Sequence, residues 1–176
     1  MDLIKKAEDF CKYAHMMQKR KYTFEPYWHH CREVAFLVEA IGGTPEMIAA
    51  AWLHDTVEDT DTRLSKIEQE FGLNVACYVD NLTDPSRPED GNREARKKID
   101  REHTASISPN SKTIKLADLI SNSTSITRYD PDFAKVYLRE KELLLPHLKE
   151  GNPVLFGMAH GILARYQEAA LQEALR

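Results

Sequence analysis

The apolar positions of the chain recur at three- and four-residue intervals, and proline and glycine punctuate them. Leu3, Ala7, Phe10, Cys11, Ala14 and Met17 share one face of a predicted helix over residues 2–18. A basic loop with aromatics, Lys19 to Tyr27, comes next, and Pro26 favours an extended approach to the second helix. From about His30 to Ile41 the spacing predicts that helix, with Val34, Leu37, Val38 and Ile41 inward, stopped by Gly42-Gly43. Thr44-Pro45 caps and starts a third, which carries residues 49–60. Thr62 is the predicted cap of a fourth, with Leu64, Ile67 and Phe71 inward and Gly72 closing it; Asn74 begins a fifth with Val75, Ala76, Val79 and Leu82. Arg93–Ser106 is a charged helix, Ser108-Pro109 opens one running to about Arg128, and Asp130-Pro131 and Asn152-Pro153 start the last two.

No stretch alternates with period two. The pattern therefore predicts an all-α bundle, one domain over residues 1–176, with C-terminal helices at about 131–175. On the last helix Gly157 and Gly161 stand four apart, a spacing that predicts a close helix crossing, and the apolar positions 162, 163, 166 and 169–171 continue its packing face. Asp84 to Asn92 is the most loop-like segment, of a length that in compact domains often serves function.

Composition narrows the classes. A hydrophobic share of 42% with 30% charged residues is ordinary for a globular chain that buries a core. A net charge of -4 argues against a general nucleic-acid binder, which would carry a basic face, while leaving room for a small phosphorylated ligand. Cys11, Cys31 and Cys77 lack C-x-x-C spacing and read as core residues of a reduced, cytoplasmic protein. No apolar run reaches membrane-spanning length. An oligomer is compatible with the sequence but not derivable from it.

Candidate chemistry concentrates in Ala49-Ala-Ala-Trp-Leu-His-Asp-Thr-Val-Glu-Asp-Thr60, where His54, Asp55, Glu58 and Asp59 interrupt an apolar, helix-forming run. Buried charges need a partner or a metal, because removing their water is costly. Glu58 follows His54 by four residues and Asp59 follows Asp55 by four, so a ligand pair would be followed one turn later by a carboxylate pair. A lone His-Asp pair reads more readily as a capped helix end with solvated acids; the rest of the chain reverses that preference. Two further stretches supply donors: His29-His30 at the start of the second helix, and Asp118, a single acid within Thr113-Ile-Lys-Leu-Ala-Asp-Leu-Ile120. Two imidazoles and two carboxylates form a mixed N/O set suited to Mn²⁺, Zn²⁺ or Fe²⁺.

These residues carry a resemblance. Ala14-His15 with Gln18 and Arg20-Lys21, Glu25-Pro26-Tyr27-x-x-His30, Leu53-His54-Asp55-Thr56-Val57-Glu58-Asp59-Thr60, Phe71-Gly72 with Val75-Ala76, and Lys115-Leu116-Ala117-Asp118-x-x-x-Asn122 run in order over about residues 7–126. In this the sequence resembles the hydrolase domain of the RelA/SpoT alarmone enzymes, HD-domain phosphohydrolases, and most of all their stand-alone small alarmone hydrolases. The resemblance implies a helical bundle of the HD type. It also implies removal of the 3′-pyrophosphate from guanosine or adenosine alarmones such as ppGpp, leaving a nucleoside di- or triphosphate. It selects His30 over His29 and implies a metal set of His30, His54, Asp55 and Asp118, with Mn²⁺ as the family's usual ion. Glu58 and Asp59 match its essential acid pair. Arg20, Lys21, Lys115, Asn122 and Ser125 fall at substrate-binding positions, and His15 matches no ligand. Leu119 and Ser121 depart from the family pattern, as does a loop made longer and bulkier by Tyr22 and Phe24; these changes touch base and phosphate contacts. The competing readings are an HD phosphatase of another nucleotide or of NADPH, and a catalytically silent nucleotide sensor.

Overall fold

The computed structural model of the chain describes residues 2–175, excepting the side chains at 169–171, 173 and 174, so the apolar positions expected at 169–171 lie outside the described side chains. The helices are α1 (Leu3–Ala14), α2 (Trp28–Ala40), α3 (Pro45–Leu53), α4 (Thr56–Asp59), α5 (Leu64–Phe71), α6 (Leu73–Leu82), α7 (Arg93–Ser106), α8 (Pro109–Tyr129), α9 (Pro131–Leu144) and α10 (Pro153–Ala174). Short 3-10 turns stand at Pro88–Asp90 and Leu145–Leu148. Among the described residues the β-type pairing is one isolated bridge, Lys19 to Pro26. The all-α expectation holds. No helix among the described residues is long and apolar enough to cross a membrane.

The centre is α3. Every residue from Met47 to Leu53 is buried, as expected of a helix apolar on all sides. α1 and α2 pack on it from outside, α6 closes another side, and α8 runs past α2, α3 and α6 to meet α9 and α10. Helix starts obey the predicted signals: Thr44 accepts from the Met47 amide, Ser108 from Ser111 and Asp130 from Phe133, each with proline in the first turn. Gly72, at φ +85°, ends α5 in a backbone region that favours glycine.

Several expectations change. α1 stops at Ala14 rather than at residue 18, since His15 turns back and the Gln18 amide bonds its carbonyl (3.0 Å). The third helix breaks after Leu53. The Thr56 hydroxyl donates to the Leu53 carbonyl (2.6 Å) and His54 Nδ1 bonds the Ala51 carbonyl (2.8 Å), so side chains take acceptors that a continuing helix would use. Thr62 does not cap α5; its oxygen accepts from the Thr60 hydroxyl (2.8 Å), and Arg63 precedes the helix without a side-chain cap. Cys77 is exposed, unlike Cys11 and Cys31. A Cβ added at Gly157 or Gly161 would meet nothing within 4 Å, so neither glycine marks a close crossing.

Candidate metal centre and acid pair

Three helices bring four donors together. His30, in the first turn of α2, is 1% exposed; His54, the C-terminal cap of α3, is 3% exposed; Asp55 follows it; Asp118 lies midway along α8. The break after Leu53 matters here, because it aims both His54 and Asp55 at α8 rather than spreading them around a continuing helix. His54 Nε2 lies 3.1 Å from Asp55 Oδ2 and 3.8 Å from Asp118 Oδ1. His30 Nε2 lies 3.5 and 3.3 Å from the same two oxygens.

Each histidine is fixed through its other nitrogen. His54 Nδ1 donates to the Ala51 carbonyl. His30 Nδ1 meets Ser121 Oγ at 2.9 Å, and that hydroxyl donates to Glu33 Oε2 at 2.6 Å. Both Nε2 atoms are buried and make no hydrogen bond, although carboxylates stand so near. Buried polar atoms are almost always satisfied, and imidazoles held at Nδ1 with Nε2 presented are oriented as metal ligands are. The carboxylates are fixed as well: Tyr27 donates its hydroxyl to Asp55 Oδ2 (2.8 Å) and Asn122 its amide to Asp118 Oδ1 (2.7 Å).

Electrostatics agree. Burial opposes charge at Asp55, yet His54 and His30 hold its carboxyl down at about 2. Asp118 likewise stays well below the usual range against burial, through contact with both histidines and with Lys115 nearby. Burial lowers His54, but Asp55 and Asp118 raise it well above an ordinary imidazole. These directions describe two buried carboxylates held ionised beside His54, where a divalent cation would neutralise the charge. The donor set fits such an ion.

The acid pair stands beside this cluster, at the mouth. Glu58 Oε2 accepts from the Asp84 amide (3.1 Å), and burial, with the Asp84 charge second, pushes its carboxyl up to about 7. Asp59 is raised as well, by burial and then by Asp55. Gln18 Nε2 donates to the Asp59 carbonyl (2.7 Å), tying α4 to the turn after α1. A groove of ≈ 970 Å³ runs from Glu58 and Asp59 towards Gln18, Met17 and Phe10; none of the four metal-set residues lines it.

The substrate positions are scattered by comparison. Arg20 is half-buried with a buried, unpartnered Nη1. Lys21 is exposed and reaches Asp130 Oδ2 (3.4 Å), where the Tyr22 hydroxyl also donates (2.8 Å), so the loop is strapped to the start of α9. Lys115 bonds the Leu82 carbonyl (3.2 Å) and Asp84 (3.4 Å), leaning on the 84–92 loop that also holds Glu58. Asn122 supports Asp118, and Ser125 lies half-buried one turn further along α8. Sequence reasoning assigned no role to Glu33, Ser121 or Asp84. Glu33 follows His30 by three residues, a helical neighbour, and Ser121 stood out only as a departure from a family pattern.

The model of the HD domain family matches residues 7–132. The guanosine-3′,5′-bis(diphosphate) 3′-pyrophosphohydrolase MESH1 of Xenopus tropicalis is 35% identical over 133 residues, 74% of this chain and 73% of that protein. MESH1 of Homo sapiens is 36% identical over 129 residues, 72% and 70% respectively. A solved structure reported as a metazoan ortholog of SpoT that hydrolyzes ppGpp superposes with a TM-score of 0.84 at 26% identity, covering 94% of this chain and 96% of the other.

Proposed function

The chain belongs to the HD domain family, and from that premise we propose that it is a metal-dependent hydrolase removing the 3′-pyrophosphate of guanosine or adenosine alarmones such as ppGpp. The reading rests on one observation above all: two buried Nε2 atoms, on His30 and His54, make no hydrogen bond yet face two carboxylates, Asp55 and Asp118. Its chemistry is drawn from the similarity to the MESH1 enzymes. His30, His54, Asp55 and Asp118 would hold the cation, with Mn²⁺ the ion proposed. Bound there, such an ion supplies Lewis acidity to a phosphoryl oxygen and lowers the pKa of water.

Water's oxygen forms a bond to the 3′-bound phosphorus, the bond from that phosphorus to the 3′-oxygen breaks, and pyrophosphate leaves while the nucleoside 3′-oxygen takes up a proton. Glu58 accepts the proton from the attacking water. Its raised carboxyl suits a base that must take a proton and give it back near neutrality. Asp59 supports Glu58 and, through its main chain, anchors Gln18 and the loop that carries Arg20. Arg20 and Lys21 flank the purine, a planar guanidinium being able to stack on a ring face. Lys115 lends positive charge beside Asp118, and Asn122 and Ser125 lie along α8 on the nucleotide side.

Purified protein, with Mn²⁺ supplied or chelated away, is offered guanosine and adenosine 3′-pyrophosphate alarmones, ordinary nucleotides and NADPH, with pyrophosphate and phosphate resolved. Metal-dependent pyrophosphate release from an alarmone is expected, and the better substrate names the base. Phosphate release from other nucleotides or NADPH alone would move the chain to the general HD phosphatases. Metal binding without turnover of any compound would make it a sensor.

A further inference from the structure

A second cluster of donors lies behind the His30–Asp118 cluster. Cys11 in the last turn of α1, His15 at its C-terminal cap and Cys31 in α2 are each 0% exposed. The two sulfurs and a ring nitrogen of His15 all lie within 4.8 Å of one another. His15 Nδ1 is hydrogen-bonded to Gln18 Oε1, and its Nε2 is buried with no partner. That is the disposition of His30 and His54: Nδ1 held by an oxygen, Nε2 left without a partner. The structure thus contains three buried histidines prepared in the same way, two beside carboxylates and one beside thiols.

We propose that Cys11, His15 and Cys31 form a second cation site, selective for a thiophilic ion of the zinc or cuprous kind. Thiolate and imidazole donors favour such ions over the oxygen-seeking cations suited to Asp55 and Asp118, so the two clusters would sort metals by hardness. The shared chemistry is ligation by sulfur, each thiol losing its proton as it donates an electron pair to the ion. Two thiolates neutralise a divalent cation inside the core, which favours zinc; three donors in full burial favour monovalent copper, which accepts fewer ligands than tetrahedral zinc. Either ion would clamp α1 to α2 at the residue after His30, giving this site a structural role.

The test uses reduced, chelator-stripped full-length chain carrying Cys77→Ser, which removes the one exposed thiol. It is titrated in separate arms with Zn²⁺, with Cu⁺, and with Co²⁺ as a coloured substitute for zinc. A thiolate-to-metal charge-transfer band saturating at one equivalent per chain is expected in the cuprous or the cobalt arm, and competition with Zn²⁺ decides which ion binds tighter. The band should persist in Asp118→Ala, which damages the other cluster, and vanish in Cys11→Ala/Cys31→Ala. No band in any arm, or one that survives the double substitution, overturns the proposal. Should the double variant not fold, X-ray absorption on the zinc- or copper-loaded parent chain decides instead. Sulfur neighbours at ~2.3 Å support the site, and a shell of nitrogen and oxygen alone sinks it.

Discussion

Ser121→Ala isolates the support beneath one ligand. The substitution removes the oxygen that faces His30 Nδ1 and breaks the link from that hydroxyl to Glu33. His30 is 1% exposed and Ser121 6%, so bulk water does not replace the lost acceptor. A buried N–H stripped of its partner costs ~1–3 kcal/mol. Loss of an outer partner to a metal-binding histidine typically weakens metal affinity by roughly 10–100-fold, which at about 1.4 kcal/mol per tenfold falls in the same range. The assay is Mn²⁺ binding followed by electron paramagnetic resonance of the free ion, alongside alarmone hydrolysis as a function of added metal. The expected result is a dissociation constant raised roughly 10–100-fold, with turnover restored at saturating metal. Glu33→Gln, which keeps an acceptor but removes the charge, should fall between this variant and the parent. A dissociation constant unmoved by Ser121→Ala would show that His30 is not held for a metal through this hydroxyl.

The same geometry sets four further outcomes. Glu58→Gln should keep metal and nucleotide binding yet lose turnover by about 10²–10⁴-fold, the usual worth of a positioned base; full activity in that variant would remove Glu58 from the mechanism. Because the carboxyl must be unprotonated to accept a proton, activity should fall as pH drops through a midpoint above the ordinary 4.5 and no higher than about 7; a pH profile of kcat/KM with no acid limb in this window counts against it. Asp55→Ala should abolish metal binding and turnover together, checked by calorimetry and by the hydrolysis assay. Gly43→Ala should destabilise the fold by ~1–3 kcal/mol in a denaturant melt, since the new Cβ would stand 2.6 Å from Val38 Cγ1 and 2.8 Å from the Val38 carbonyl, an atom of the backbone; an unchanged midpoint would mean the α2–α3 turn yields.

The helices were legible because each carries local signals: apolar spacing for α2, α5 and α6, and a capping side chain with proline for α3, α8 and α9. The predicted cap at Thr62 failed because the Thr60 hydroxyl donates to its oxygen, and α5 starts after Arg63 without a side-chain cap. The break at His54 was hidden because it arises from Thr56 and His54 bonding carbonyls behind them. The four clustered donors were legible through their residue types and motif. Their supports were not: Ser121 meets His30 across 91 residues of sequence, and Asp84 reaches Glu58 across 26. Long-range partners of this kind leave no periodic trace. The glycines of α10 misled for the opposite reason, a familiar spacing with no neighbour opposite it.

The donors of the proposed metal site come from α2, the end of α3 and α8, so no fragment holding one of these helices contains the set. An ion that meets all four donors therefore recognises the assembled chain and has little hold on the unfolded one. By mass action, metal at 100 times its dissociation constant adds about 2.7 kcal/mol to the free energy of unfolding. Cellular metal supply would then govern how long the molecule survives as well as how fast it works. Chelation would expose first the chains whose packing between α2 and α8 is already weakened, and an apparently inactive variant could owe its silence to loss of the folded population.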